Sequence, residues 1–330
     1  MENDVKRRYD NAILGVYPQS RERDAETIRR LNEQAGKLPT RTNSQKWTSY
    51  HFYDEDGDPS DYAWHIDLTI DGRKYRGVYF VEYRPAVTSC EEDGYYPEAS
   101  VQKANGYLTK KTYWFRFEPI EWVVLTQDDK YAMVISDKIL DAGNFGHKSD
   151  LKGWSYRFFR QKKIPNFYGE GDLHSFLHET FSNVAFTPNE RSKMIQIEVD
   201  NGPYSTFPNE KKYWKKSDGT NVYAKGDTLE TLFSPSVQEV TDALFGFSPD
   251  PRMPDPARRK RATDYARAMG VGVIQGNAEE SGNSMWWLRS PDRTSDEEAH
   301  CISADGVVED RFSVFRTYPG IVPGFWMKLS

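Results

Sequence analysis

Between positions 63 and 81 apolar and polar residues alternate in two runs joined by Asp71-Gly72. Trp64, Ile66, Leu68 and Ile70 share one face of the first run, and Tyr75, Gly77, Tyr79 and Val81 share one face of the second. A period of two marks strands, because successive side chains point to opposite faces. Asp-Gly supplies the backbone conformations that a two-residue hairpin turn needs. A second strand pair reads from 112–125 (TYWFRFEPIEWVVL) and 131–136 (YAMVIS), and 12–19 (AILGVYPQ) reads as a short strand closed by Pro18. Asp24 opens a helix that runs to about Ala35, with Ile28, Leu31 and Ala35 on one face and Gly36 at the C-cap. Further helices are expected at 172–181, at 188–194 and at 257–269. The second of these opens on Thr187, Pro188 and Glu190, a capping box with proline at the first helical position. The stretches 40–61, 90–109 and 201–227 read as polar and irregular. The fold class expected is α+β, with mixed or antiparallel sheets and short helices.

A chain of 330 residues fits one large domain or two. The expectation here is one integrated unit over 1–330, in which 1–111 elaborates a core at 112–330. Nine Trp, twenty Tyr and eighteen Phe compensate for few aliphatics and exclude global disorder. The net charge of −6 argues against a general nucleic-acid footprint. No run of eighteen apolar residues is present, so no membrane span is expected. The start, MENDVKRRYD, lacks the apolar stretch of a signal peptide, and the location expected is cytoplasmic, or associated with a phage or cell surface.

Five possibilities can be weighed on particular residues. His174 and His178 lie four apart on an expected helix and share a face, with Glu170, Asp172 and Glu179 nearby in sequence. The HSFLH spacing lacks the glutamate of HExxH, and no third histidine follows closely, so no metal and no cofactor are expected and chelation should not change stability. The acidic run 54–58 lacks the spacing of a calcium loop and reads as a solvated turn. Cys90 and Cys301 are the only cysteines, far apart in sequence and without an evident base; whether they pair stays open. Arg258-Arg259-Lys260-Arg261 is a basic run that reads as a solvated helix start. Trp286 and Trp287, beside Leu288 and Arg289, read as core residues, because truncating a buried tryptophan costs about 3–5 kcal/mol.

Several ordered segments carry a resemblance: Tyr17-Pro18-Gln19, 74–80 (KYRGVYF) with Tyr83-Arg84-Pro85, 113–125, 185–190 (AFTPNE), 263–266 (TDYA) and 286–291 (WWLRSP). Together they resemble an uncharacterised family of bacterial proteins, a domain of unknown function. The final stretch Gly320-Ile321-Val322-Pro323-Gly324-Phe325 departs from that family's GVRPAL ending by losing its arginine. The WWLRSP box, with the strands and long loop after it, is similar to the C-type-lectin fold. That resemblance implies that the first and last strands pair, so 13–17 should lie beside 325–329. It also implies a non-catalytic module that displays loops over 292–318 to a protein or glycan ligand, as the variable proteins of diversity-generating retroelements do. The residues expected to meet that ligand are Arg293, Thr294, Asp296, Glu297, Arg311, Phe312, Ser313, Phe315, Arg316 and Tyr318, since arginine and aromatics dominate binding hot spots. The alternatives are an enzyme resembling formylglycine-generating enzymes and a structural or assembly protein.

Overall fold

The computed structural model describes residues 12–40, 44–50, 63–84, 101–143, 166–203, 227–273, 281–292 and 297–329. In chain order the N-terminal part gives β1 (Ala12–Arg21), α1 (Ala25–Ala35), β2 (Thr48–Ser49), β3 (Ala63–Ile70), β4 (Arg73–Phe80) and α2 (Val101–Ala104). Next come β5 (Thr112–Gln127), β6 (Tyr131–Ser136) and β7 (Asp141–Ala142). The helical run α3 passes from Asp172–Ser175 through a π-helical turn, Phe176–Phe181, into Ser182–Ala185. Then follow α4 (Pro188–Arg191), β8 (Met194–Ile195), β9 (Ile197–Val199), β10 (Thr228–Glu230), α5 (Val237–Val240) and α6 (Asp264–Met269). The chain ends in β11 (Trp286–Pro291), β12 (Glu298–Ile302), β13 (Val308–Ser313), β14 (Gly320–Ile321) and β15 (Gly324–Lys328). The class is α+β, with mostly antiparallel sheets and short helices; β11 and β14 form a parallel pair.

The β3–β4 hairpin pairs Ala63 with Phe80 through Ile70 with Arg73, and the turn residues Asp71 and Gly72 both take positive φ. Its apolar face, with Trp64, Ile66 and Tyr75, packs with Leu31 and Ala35 of α1 and with Trp47 and Trp114. Asp24 caps α1 by accepting from the Thr27 N–H. The sixteen-residue β5 is the spine of the larger sheet: it pairs with β4 at its start, β1 along its middle and β6 at its end. A five-stranded sheet, ordered β13-β12-β11-β14-β7, stands apart from it. Trp122, Phe181, Trp286, Trp287 and Phe325 are all buried in the core between them.

Three expectations are corrected here. The strands beside β15 are β6 and β8, not β1, which lies along β5 instead. The reason is local: the β5–β6 hairpin brings β6 to the position that β15 takes up, while the bulged β1 fits the opposite edge of the long strand. The single helix expected over 257–269 is a 3-10 turn, Pro256–Arg258, followed by α6. Arg258 is 0% exposed, and its guanidinium donates to the carbonyls of Val240 (2.8 Å), Asp250 (3.2 Å) and Met253 (3.3 Å). That anchors the turn to the loop before it, and the chain restarts helically at Thr263, which accepts from the Ala266 N–H. Lys260 is buried as well, while Arg259 is half-buried and Arg261 exposed, so only part of the basic run is solvated.

Candidate functional site

A cavity of about 400 Å³ lies where β1–β4, β7, β14, α3 and α6 meet. Its polar lining comes from distant parts of the chain. The Tyr17 hydroxyl of β1 donates to Asp141 Oδ2 of β7 at 2.6 Å. The hydroxyls of Tyr50 and Tyr265 are 2.7 Å apart. Arg76 grips Asp67 with two bonds of 2.8 and 2.9 Å. Arg84 donates to the Ala142 carbonyl at 2.9 Å. His65 lies against the Tyr50 ring, with centroids 4.5 Å apart, and its Nδ1 is buried without a hydrogen-bond partner among the described residues. Phe176 and the exposed Glu179 of α3 line the cavity on its other side.

Burial sets the protonation of this lining. It pushes the hydroxyls of Tyr17, Tyr50 and Tyr265 up, so all three stay protonated and able to donate. Burial also raises the Asp141 carboxyl to about 6, although the Tyr17 hydroxyl and the Ala142 N–H pull it down. Burial, reinforced by the Arg76 charge, lowers His65 to about 4, which leaves a neutral imidazole.

A second cluster occupies another flank of α3. Leu173, Leu177 and Phe181 point into the core, while His174 and His178 project together, their ring centroids 4.4 Å apart. Glu230 at the end of β10 meets both: its oxygens lie 3.0 and 3.1 Å from His174 Nε2, and Oε2 lies 2.5 Å from His178 Nε2. Glu230 is 1% exposed. Burial alone would raise its carboxyl, but the two imidazoles and the Thr228 hydroxyl outweigh that and hold it at about 2, ionised. No third histidine joins the pair, but a carboxylate from far along the chain does. The donor is Glu230, rather than Glu170, Asp172 or Glu179, and the three ligand atoms lie within 4.8 Å of one another. Separated from His174 by 56 positions, it gives no sign in local spacing.

A family model described as a domain of unknown function, DUF6273, matches residues 130–329. The chain belongs to the DUF6273 family. No curated protein and no solved structure matches it. The matched span opens at β6 and closes at β15, and these strands pair from Tyr131↔Lys328 to Ile135↔Gly324, so the DUF6273 domain begins and ends on neighbouring strands. The cavity lies at the edge of that domain: Asp141, Tyr265 and α3 belong to it, whereas Tyr17, Tyr50, His65, Arg76 and Arg84 come from the segment before it.

Within the DUF6273 domain the WWLRSP residues are interior. Trp286 and Trp287 are 0% exposed, and their indole N–H groups donate to the carbonyls of Arg258 (3.1 Å) and Gly143 (2.7 Å). Arg289 is buried and holds Glu239 with bonds of 2.6 and 2.9 Å. Cys301 is fully buried, and burial together with the Glu309 charge pushes its thiol well up, so it is no ready nucleophile. Cys90 and the acidic run 54–58 lie outside the described residues.

Of the residues expected to face a ligand, Arg293, Thr294, Asp296 and the Arg311 side chain lie outside the described residues. Glu297, Phe312, Ser313, Arg316 and Tyr318 are half-buried, and Phe315 is 3% exposed. The open display expected of this stretch is thus corrected for Phe315 and reduced for the others. The reason is that Phe312 packs edge-on against both Trp287 (5.5 Å) and Tyr318 (5.8 Å), which draws the stretch onto the core.

The cavity residues were missed as a site, although the sequence held a sign of them. Tyr17, Arg76, Arg84 and Tyr265 each belong to a segment that carries the family resemblance: YPQ, KYRGVYF, YRP and TDYA. Each segment alone reads as a strand or a helix start, and only folding brings the four side chains to one cavity.

Proposed function

We propose that this protein is a non-catalytic ligand-binding module on a C-type-lectin-like scaffold, and that its ligand is a small hydroxyl-bearing molecule, such as a glycan unit, seated in the tyrosine-lined cavity. The observation that carries this reading is the convergence of Tyr17, Arg76, Arg84 and Tyr265, from four separate segments, on one cavity of about 400 Å³. That volume falls in the range of small-molecule sites, which pair apolar walls with a few placed polar groups. Tyrosine hydroxyls, a neutral imidazole with a nitrogen unpartnered among the described residues and an aromatic wall suit hydroxyl groups and the apolar face of a sugar ring. The lectin-like scaffold rests on the resemblance of the WWLRSP segment; the pairing that it implied falls to β6, at the start of the DUF6273 domain, rather than to β1.

The test is a panel of mono- and disaccharides and nucleosides screened by ligand-observed NMR against the full chain, the Phe176→Ala and Glu179→Gln variants, and an Arg316→Ala/Tyr318→Ala double variant. Binding that is weakened by the first two changes and kept in the double variant supports the cavity. Absence of any binder overturns it. A second reading, display of 292–318 to a protein ligand as in a diversified variable protein, is favoured by the position of β13 at the edge of its sheet. Edge strands are available for pairing with another chain. Binding lost only in the double variant would favour that reading.

A further inference from the structure

We propose that His174, His178 and Glu230 form a site for one divalent transition-metal ion of the zinc class. The two imidazoles leave the same flank of α3 one turn apart, and the π-helical turn at Phe176–Phe181 includes His178. Such turns are rare and recur at functional positions. Glu230 approaches from β10 with both oxygens toward the imidazoles. Zinc binds nitrogen and carboxylate oxygen at about 2.0–2.2 Å, which places neighbouring donors about 3.3 Å apart in a tetrahedron. Here the nitrogen-to-oxygen separations are 3.0 and 3.1 Å for His174 and 2.5 Å for His178, so seating an ion needs shifts of a few tenths of an ångström at His174 and of about 0.8 Å between His178 and Glu230.

An ordinary histidine–glutamate pair is the competing explanation, and two details tell against it. One buried carboxylate serves two imidazole Nε2 atoms at once, and His178 Nε2 sits 2.5 Å from Oε2 off the line of a proper hydrogen bond. The imidazole side chains are 24% and 29% exposed, but His178 Nε2 and Glu230 are buried, so the ion itself would sit below the surface. Two nitrogens and one carboxylate suit zinc, cobalt, nickel or ferrous iron; calcium and magnesium prefer all-oxygen shells. An ion here would tie α3 to the β9–β10 hairpin. The opposite flank of α3, with Phe176 and Glu179, forms a cavity wall, so the metal would also hold that wall in place. The site stands independently of whether the cavity binds a ligand.

The full-length protein, stripped with a chelator and dialysed, is titrated with zinc by calorimetry and with cobalt by visible absorption. One equivalent of zinc, a raised melting temperature and cobalt ligand-field bands are expected. His178→Asn, at a partly exposed position, should weaken zinc binding at least about tenfold and abolish the cobalt bands. Glu230→Gln should do the same, with folding checked by near-ultraviolet circular dichroism; if it does not fold, His178→Asn decides. Absence of stoichiometric uptake overturns the proposal. So does undiminished uptake in a His174→Asn/His178→Asn double variant, which would place the metal elsewhere.

Discussion

Asp141 and His65 line the same cavity and respond to pH in opposite directions. The folded carboxyl of Asp141 titrates at about 6, above its unfolded value. Its contribution to stability is therefore full below about pH 4 and lost as pH rises through about 6, a difference of about 3 kcal/mol for two units. The folded imidazole of His65 titrates at about 4, below its unfolded value, so its contribution is full above about pH 6.5 and lost as pH falls through 4. The two slopes oppose each other between about pH 4 and 6.5 and mask one another in the wild type. Asp141→Asn removes one of them. Its stability relative to wild type should rise by about 2–3 kcal/mol between pH 4 and pH 7 in urea titrations; a flat difference would show that Asp141 is not buried in the folded protein. The tryptophans make a simpler case. Trp286→Ala and Trp287→Ala should each lower stability by about 3–5 kcal/mol, because each removes a fully buried ring and its indole hydrogen bond. A loss within 1 kcal/mol would mean that the β11 core can close around the gap.

Single elements here are held by contacts from far along the chain. β1 bulges at Gly15, where φ is +73°. A Cβ there would lie 2.6 Å from the Phe186 ring and 2.7 Å from the Ala185 carbonyl. The Gly15 N–H donates to Glu190 at 3.1 Å, and the same side chain completes the α4 capping box with Thr187. A cap thus doubles as a clamp on a strand. Gly15→Ala combines positive-φ strain with a clash and should cost about 2 kcal/mol or more, measured by thermal or chemical denaturation. Wild-type stability in that variant would show that β1 can shift off Phe186 freely. α3 shows the same economy: one flank fills the core, one carries the two histidines and one lines the cavity.

The larger sheet binds the DUF6273 domain to the segment before it. β6 is paired on one side with β15, inside the domain, and on the other with β5, ahead of it. Trp122 of β5 packs on Phe325 of β15 with ring centroids 4.7 Å apart. A fragment limited to residues 130–329 would expose the β6 edge and strip Phe325 of that ring. It should therefore aggregate or stay unfolded, because an uncovered apolar edge strand pairs with other copies. A monomeric fragment with a cooperative melt in analytical ultracentrifugation and calorimetry would show that the domain folds alone. Among the described residues no helix is long and apolar enough to cross a membrane.

Local chemistry was readable in the amino-acid order. The Asp71-Gly72 turn, the Asp24 cap and the Thr187–Glu190 capping box are decided within a few residues by backbone conformation and side-chain hydrogen bonds, and each occurs where the order indicates. The interior character of Trp286 and Trp287 follows from the same logic of area and cost. What the order could not convey is which distant pieces meet. Tyr17 finds Asp141 across 124 positions, and His174 finds Glu230 across 56. β15 pairs with β6 rather than β1. Arg258 breaks a periodic helix because carbonyls from a neighbouring loop surround it. These outcomes come from the joint packing of several sheets and helices around the main core cluster. No local period records them, because the free energy that selects them is shared among side chains far apart in the chain.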